Sequence, residues 1–183
     1  MACCAMSSIA TPPESAGGLP PGSGPDSGAH AADASGAALH WRALEGLYAS
    51  APINRLFDSQ LAVTGEGQAR ITFTIDPGVH HAAGAAHGTI YFKMIDDAAF
   101  YAANTLVTDR FLLTTSMNLH FVRPVKSGRL VAEGRWVSGR RRVLVAEARL
   151  VDEDGEEIGR GTGTFMRSRI PLSGLPGYNP GGG

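Results

Sequence analysis

The sequence has little that would support a disulfide framework, a membrane span or a strong net charge. Its only two cysteines, Cys3 and Cys4, are adjacent, which gives neither a disulfide pattern nor metal-ligand spacing. No apolar run approaches the roughly 18 to 20 residues of a membrane-spanning helix, and the N-terminus lacks the features of a secretory signal. A formal net charge of −1 over 183 residues argues against a general nucleic-acid binder. We therefore expect a soluble, cytoplasmic domain with no nucleic-acid or membrane partner.

Composition divides the chain into three segments. Residues 1–36 hold five of the 11 prolines and no lysine or arginine, and residues 171–183 are again rich in proline and glycine. Such segments bury too little apolar surface to offset the entropy lost on ordering. We therefore predict a disordered tail over residues 1–36, one folded domain over residues 37–170, and a flexible tail over residues 171–183.

Apolar periodicity in the central segment predicts an α+β domain. A short amphipathic helix is expected over residues 37–50 and one long helix over residues 88–107. Six strands are expected over residues 57–64, 69–76, 113–122, 130–137, 143–151 and 158–167. This order favours an antiparallel sheet that wraps the long helix. Gly159, Gly161 and Gly163 share one face of the last strand and predict a close approach of a neighbour there.

Asp96 does not fit the apolar pattern of the long helix. It lies one turn after Phe92 and one turn before Phe100, whereas Asp97 can pair with Lys93 on the side that we expect to be wetter. An ionised carboxylate on an apolar face is costly unless it has a partner. Asp96 therefore either hydrogen-bonds a neighbour and only fixes the packing, or takes part in a reaction.

The beginning of the long helix favours a reaction. At His87-Gly88-Thr89, free N–H groups and the positive end of the helix dipole favour an oxyanion, and glycine lets a ligand approach the backbone. Thr89 and Asp96 are separated by roughly 10 Å at about 1.5 Å per helical residue, which is too far for both to act on one atom. Catalysis would then need the carboxylate of a second subunit, which predicts a dimer.

Several motifs resemble those of the acyl-CoA thioesterases of the hotdog superfamily, in particular the PaaI-like branch. They are His81-x-x-Gly84-x-x-His87-Gly88, then Asp96, then the stretch from Asn118 to Pro124. The resemblance covers about residues 55–168 and implies a hotdog fold, in which an antiparallel sheet wraps a long central helix. It also implies a homodimer or a dimer of dimers that hydrolyses acyl-CoA to free acid and CoA without a cofactor.

The resemblance implies a catalytic role for four residues. Asp96 would be the general base or the nucleophile, the Gly88 N–H would polarise the thioester carbonyl, and Thr114 would assist the carboxylate from the same subunit. His81 stands where the family usually has asparagine, and a histidine there can donate a hydrogen bond or act as an acid or base. Thr89 stands where the family usually has a second glycine, and we expect it to narrow the helix entrance.

The candidate substrate-binding residues surround this set. They are His87, Thr89, Phe92, Arg123, Arg140 and Arg141. Phe92 and its apolar neighbours would line a pocket for the acyl chain, and the arginines would hold the CoA phosphates, because a guanidinium offers a planar fork. A solvated basic hairpin explains the arginines equally well. His87 is expected to cap or order its loop.

A metal site and two other functions are the remaining alternatives. His80, His81 and His87 lie close in sequence, but acidic ligands at useful spacing are missing from their loop, so no metal site is predicted. A non-catalytic acyl-CoA-binding or regulatory hotdog protein remains open. A hotdog hydratase or dehydratase is a weaker alternative, because those families generally use a helix glutamate or a different Asp/His signature.

Overall fold

The computed structural model describes residues 27–181 and shows two helices and six strands. The helices are α1 (Ser27–Ser50) and α2 (Gly88–Asn104), and three short 3-10 turns are η1 (Pro52–Leu56), η2 (Pro77–Val79) and η3 (Leu172–Gly174). The strands are β1 (Ser59–Gly65), β2 (Gln68–Ile75), β3 (Arg110–Phe121), β4 (Gly128–Ser138), β5 (Val143–Val151) and β6 (Glu157–Pro171). The disorder predicted for residues 1–26 lies outside the described residues.

The six strands form one antiparallel sheet in the order β1-β2-β4-β5-β6-β3. Helix α2 contacts all six strands, so the sheet wraps it. The side of α2 that faces the sheet is closely packed, and Ile95, Ala98 and Ala102 are fully buried. The predicted α+β architecture, with one long helix against an antiparallel sheet, is therefore confirmed.

Small residues let α2 lie close to the sheet. A Cβ atom on Gly134 of β4 would collide with the backbone carbonyl of Ala98, so the helix rests directly on that strand. A Cβ atom on Gly161 of β6 would lie 3.0 Å from Cγ2 of Ile95. The close approach predicted for the glycines of β6 is confirmed. The role of Gly134 could not be predicted from the sequence, because a single glycine in a strand carries no sign of which residue packs against it.

Helix α1 is longer than predicted. It begins at Ser27 rather than at residue 37, so helix replaces the disorder predicted for residues 27–36. Four of those ten residues are alanine, the residue with the highest helix propensity. Within residues 27–181, neither helix combines the length and the apolarity that crossing a bilayer needs.

Helix α1 also covers the side of α2 that was expected to be wetter. Asn104 and Tyr101 are buried, and the side chains of Lys93 and Asp97 are only 14% and 23% exposed. Tyr48 of α1 packs edge-to-face against Tyr101, with ring centroids 5.5 Å apart. The prediction was wrong because periodicity within α2 does not reveal that a second amphipathic helix lies across its polar side.

The C-terminal segment, predicted as a flexible tail, packs back onto the domain. Leu172 is fully buried and Tyr178 nearly so. The Tyr178 hydroxyl lies 2.7 Å from Nδ1 of buried His40 on α1, and Nε2 of His40 lies 3.0 Å from the carbonyl oxygen of Asn104. Because that carbonyl can only accept, Nε2 donates and Nδ1 accepts from the tyrosine. Two apolar side chains and one hydrogen-bonded histidine therefore anchor residues that composition alone assigned to a tail.

Candidate active site

Asp96 lies in the middle of α2 and is paired with Thr114 of β3. The Thr114 hydroxyl donates a hydrogen bond of 3.0 Å to Oδ1 of Asp96. The ladder between β3 and β6 shifts register between Thr114 and Ser116, and such a bulge changes the direction of a side chain. Strict alternation along β3 would place Thr114 on the same face as Asn118, but the bulge separates them and brings Thr114 to the carboxylate.

Burial raises the pKa of Asp96 to about 6. Loss of solvent is the largest cause, and the charge of Asp97 raises the pKa further, while the hydrogen bond from Thr114 and the charge of Lys93 lower it. A carboxyl group that titrates near neutral pH is ionised at pH 7 and can still return a proton. Asp96 therefore has a hydroxyl partner and a pKa that suits a general base.

The N-terminus of α2 is capped by His87. The His87 side chain accepts the Thr89 N–H at Nδ1, 3.2 Å away, so the predicted capping role is confirmed. The Gly88 N–H belongs to the first turn, whose N–H groups have no acceptor within the helix. A Cβ atom on Gly88 would lie 3.1 Å from the ring of Phe121. Glycine at this position therefore leaves a narrow opening through which a ligand can reach the Gly88 N–H.

His81 lies in the loop just before this helix terminus. Its backbone N–H donates to the Ala85 carbonyl and its carbonyl accepts from the Gly84 N–H, each at 2.9 Å. Gly84 has a φ of +76°, which favours glycine in this turn. Nδ1 of His81 accepts the Ala83 N–H at 3.1 Å, and the ring centroid lies 6.5 Å from that of His87. The exposed His81 ring is thus held beside His87, the residue that caps α2, with Nδ1 already engaged.

One chain therefore carries two separate halves of a candidate site. The donor half-site is His81 with Gly88, and the base half-site is Asp96 with Thr114. Gly88 and Asp96 are eight residues apart on the same helix, about 12 Å at roughly 1.5 Å per residue. A carbonyl bound at the Gly88 N–H would not reach the carboxylate of the same chain.

Phe92 lies on α2 one turn before Asp96 and is 42% exposed. The sequence places Phe92 on the apolar face around Asp96, and within one chain that face is not buried at this residue. Phe100, one turn after Asp96, is buried against Phe111, with ring centroids 5.0 Å apart. Asp96 thus stands between an exposed and a buried aromatic ring.

The three candidate phosphate-binding arginines form two sets. Arg123, just after β3, pairs with Asp152 in the turn between β5 and β6. Arg140 and Arg141 lie in the turn between β4 and β5, where Arg140 pairs with Glu66 at 2.9 Å. All three side chains are in exposed residues, so each ion pair is accessible to a competing anion.

The separation of the two sets follows from the positions on β6 with which their neighbouring residues pair. Phe121, two residues before Arg123, is paired with Gly159, whereas the carbonyl of Arg142 accepts from the N–H of Arg167. Those β6 positions are eight residues apart, about 26 Å at roughly 3.3 Å per residue. The structure therefore does not bring the two sets together within one chain, and only Arg123 lies at the α2 N-terminal end.

A groove of about 910 Å³ on the sheet face opposite α2 is distinct from the half-sites. Cross-strand ion pairs run along it, and Glu133 accepts from Arg70 at 3.1 Å and from Arg149 at 3.0 Å. Within residues 27–181, no three histidine, cysteine or acidic side chains are grouped so that they could hold a metal ion.

Part of the chain is similar in sequence to known proteins. Residues 83–158 match the family model of the Thioesterase superfamily. A protein of Saccharolobus solfataricus described as a candidate esterase is 26% identical over 101 residues, which is 55% of this chain and 67% of the relative.

Solved structures agree on the fold. The PaaI protein of the phenylacetic acid degradation operon of E. coli aligns with a TM-score of 0.68 at 18% identity, covering 74% of this chain and 97% of that one. A thioesterase of Haemophilus influenzae aligns with a TM-score of 0.63 at 18% identity, covering 70% of this chain and 89% of that one. These similarities show the hotdog fold.

Proposed function

From its hotdog fold and its match to the Thioesterase superfamily model, we propose that this chain is an acyl-CoA thioesterase. It hydrolyses the thioester bond to a free acid and CoA. The observation that carries the proposal is the Asp96 carboxyl group, which is hydrogen-bonded to Thr114 and has a pKa raised to about 6. The exposed donor half-site on the same helix supplies the complementary chemistry.

The active enzyme is a homodimer that pairs the two half-sites across subunits. Strand β3 is an edge strand of 12 residues, and Leu113 and Phe121 on it are exposed large apolar side chains. A twofold contact is self-complementary, so the base half-site of each protomer meets the donor half-site of the other. Exposed Phe92 lies beside Asp96 and becomes covered in the same contact. A dimer of dimers would repeat this unit.

Hydrolysis then proceeds by general base catalysis. Ionised Asp96 removes a proton from water as the water oxygen bonds to the thioester carbon, and the carbonyl oxygen becomes an oxyanion. The Gly88 N–H of the partner and the positive end of α2 stabilise that charge. The C–S bond breaks when the oxyanion collapses, and protonated Asp96 returns its proton to the thiolate of CoA, so the carboxylate is restored.

Two further groups support binding. His81 approaches the carbonyl or the attacking water with Nε2, because Nδ1 accepts the Ala83 N–H. Arg123 is the one of the three candidate arginines that lies at the α2 N-terminal end, and it binds a CoA phosphate by exchanging its partner Asp152 for the ligand. His87 orders the loop, and Thr89 narrows the approach to Gly88.

A free-thiol assay over a series of acyl-CoAs tests this proposal. The full chain is expected to release CoA from at least one member of the series, and Asp96→Asn is expected to slow that release about a thousandfold. If acyl-CoA raises the melting temperature but no thiol appears, the chain is a non-catalytic acyl-CoA-binding protein instead. If an enoyl-CoA gives a hydrated thioester rather than free acid, the reaction is hydration.

A further inference from the structure

Lys93 ties the η1 turn to α2 close to Asp96. Its Nζ donates to Oδ1 of Asn54 at 2.6 Å and pairs with Asp97 one helical turn later. Nδ2 of Asn54 in turn donates to the Tyr48 carbonyl at 2.7 Å. One ammonium group therefore connects the end of α1, the η1 turn and α2, three residues before the carboxylate of the base half-site.

Two aromatic rings complete the environment of this ammonium. The Lys93 Nζ lies 5.4 Å from the ring centroid of Tyr48 and 5.5 Å from that of Phe57, distances at which a cation is attracted to a ring. Removing a lysine and an aspartate from solvent largely offsets their attraction, so such a pair is weak evidence for stability. The arrangement is better explained by the position in which it holds η1.

The other side of the η1 turn is apolar and exposed. Ile53 is 52% exposed and Leu56 is 72% exposed, the highest value among the large exposed hydrophobic residues of the described chain. In a 3-10 helix, residues three apart lie on the same face, so these two side chains form one apolar surface. Phe92 adds a third exposed apolar side chain on α2, one residue before Lys93.

We propose that Ile53 and Leu56 contact the acyl chain of the substrate and set chain-length preference, and that Lys93 is the positioning residue that holds them there. This inference rests on the proposed thioesterase function. A thioester carbon held at Asp96 has its acyl chain beginning one bond away, and that chain needs an apolar surface beside α2. The η1 turn is fixed to that part of the helix, so the acyl chain is its occupant.

Acetyl-CoA and decanoyl-CoA provide the test, with the full chain and the free-thiol assay. In Ile53→Ala/Leu56→Ala, the ratio of kcat/KM for decanoyl-CoA to that for acetyl-CoA is expected to fall about tenfold, because the long chain loses apolar contact. Val137→Ala/Val143→Ala removes two exposed apolar side chains at the β4–β5 turn, and the ratio is expected to stay at the wild-type value.

Lys93 is tested with a charge-removing and a charge-keeping variant. Lys93→Met is expected to lower the same ratio, mainly by raising KM for decanoyl-CoA, and Lys93→Arg is expected to restore most of it. If Lys93→Met lowered kcat/KM equally for both substrates and also lowered the melting temperature, Lys93 would have only a structural role. Its proposed role as a positioning residue would then be wrong.

The remaining outcomes separate this inference from the function on which it rests. If wild type hydrolyses acyl-CoA but Ile53→Ala/Leu56→Ala keeps the wild-type ratio of kcat/KM values within twofold, Ile53 and Leu56 do not set chain-length preference. The thioesterase proposal would still stand. A changed oligomeric state with an unchanged ratio would make η1 a subunit contact. If wild type hydrolyses neither these substrates nor others in the series, both proposals fail.

Discussion

The two edges of the sheet differ in how they are covered. At the β1 edge, α1 packs alongside, its Glu45 accepts the Val63 N–H at 2.8 Å, and its Tyr48 hydroxyl donates to Ser59 at 2.8 Å. At the β3 edge, no helix of the described chain plays that part, and most side chains along the strand are exposed. Open edge strands are usually protected against pairing with other chains. One edge is therefore closed by the chain itself, and the other is available to a partner.

The open edge also carries part of the proposed active site. Thr114 stands on β3 and binds Asp96, so the base half-site is part of the edge that a second subunit would cover. The covered edge carries none of the half-site residues. In the proposed dimer, assembly and catalysis therefore use the same surface, and variants at the two edges should differ in their effects.

The largest expected effect comes from removing the base. Asp96→Asn is expected to lower kcat about a thousandfold while the variant stays folded and dimeric, because a positioned base contributes roughly 10² to 10⁴ in rate. The free-thiol assay and size-exclusion chromatography measure both properties. Asp58→Asn removes the same charge from an exposed position before β1 and serves as the control. Turnover by Asp96→Asn within tenfold of wild type would exclude Asp96 as the base.

The next effect comes from blocking the open edge. Ser116→Lys/Asn118→Lys places two like charges on each copy of β3 and is expected to give monomers with activity lowered about a hundredfold, because each active site of the proposed dimer needs two chains. Gln60→Lys/Thr64→Lys makes the matched change on exposed positions of β1 and is expected to leave the dimer and its activity intact. The comparison of edges would be reversed if the β1 variant dissociated and the β3 variant did not.

A smaller effect is a shift in pH dependence. The hydroxyl of Thr114 lowers the pKa of Asp96, so Thr114→Val is expected to raise that pKa. Because the reaction needs the ionised carboxylate, the acid limb of kcat/KM moves to higher pH, and a profile from pH 5 to 9 shows it. Thr115→Val removes a neighbouring hydroxyl that bonds the Thr164 carbonyl at 3.0 Å. An acid limb that moves equally in both variants would contradict a specific role for Thr114.

The smallest effect is on stability. The pKa of Asp96 is raised in the folded chain, so the native state binds more protons than the unfolded chain between about pH 4 and 6. Its contribution to the free energy of unfolding is therefore present at low pH and lost as pH rises through about 6. Asp96→Asn is expected to be more stable than wild type at pH 7.5, on the order of 1 to 3 kcal/mol by urea unfolding at equal protein concentration. If Asp96→Asn and wild type were equally stable at both pH 5 and pH 7.5, burial would not disfavour the ionised form of Asp96.

The parts of this molecule that could be predicted from the sequence are those with local signals. The period of α2, the alternation of the strands and the spacing between Gly88 and Asp96 are all read within one or two elements. Asp96 stands out because an acid interrupts an apolar face, which needs no knowledge of the rest of the fold. The division of the site into two halves follows from the rise of the helix alone.

Contacts between distant segments could not be predicted in the same way. The packing of Tyr48 on Tyr101 buries a face that looks polar within α2, and the bond between His40 and Tyr178 orders a segment that looks like a tail. The β3 bulge that turns Thr114 to Asp96 is invisible in strict alternation. Each case depends on a partner that lies far away in the chain.

Subunit complementation tests the shared active site most directly. Gly88→Pro removes the N–H of the first helical residue, where proline is well tolerated, and the extended backbone of His87 suits a following proline. Asp96→Asn and Gly88→Pro are each expected to be inactive as homodimers. After the two variants are mixed and exchange subunits, half of the dimers carry one intact site, so about a quarter of wild-type activity is expected to return. If the mixture stays inactive although mixed dimers have formed, the two half-sites do not meet across subunits and the account is wrong.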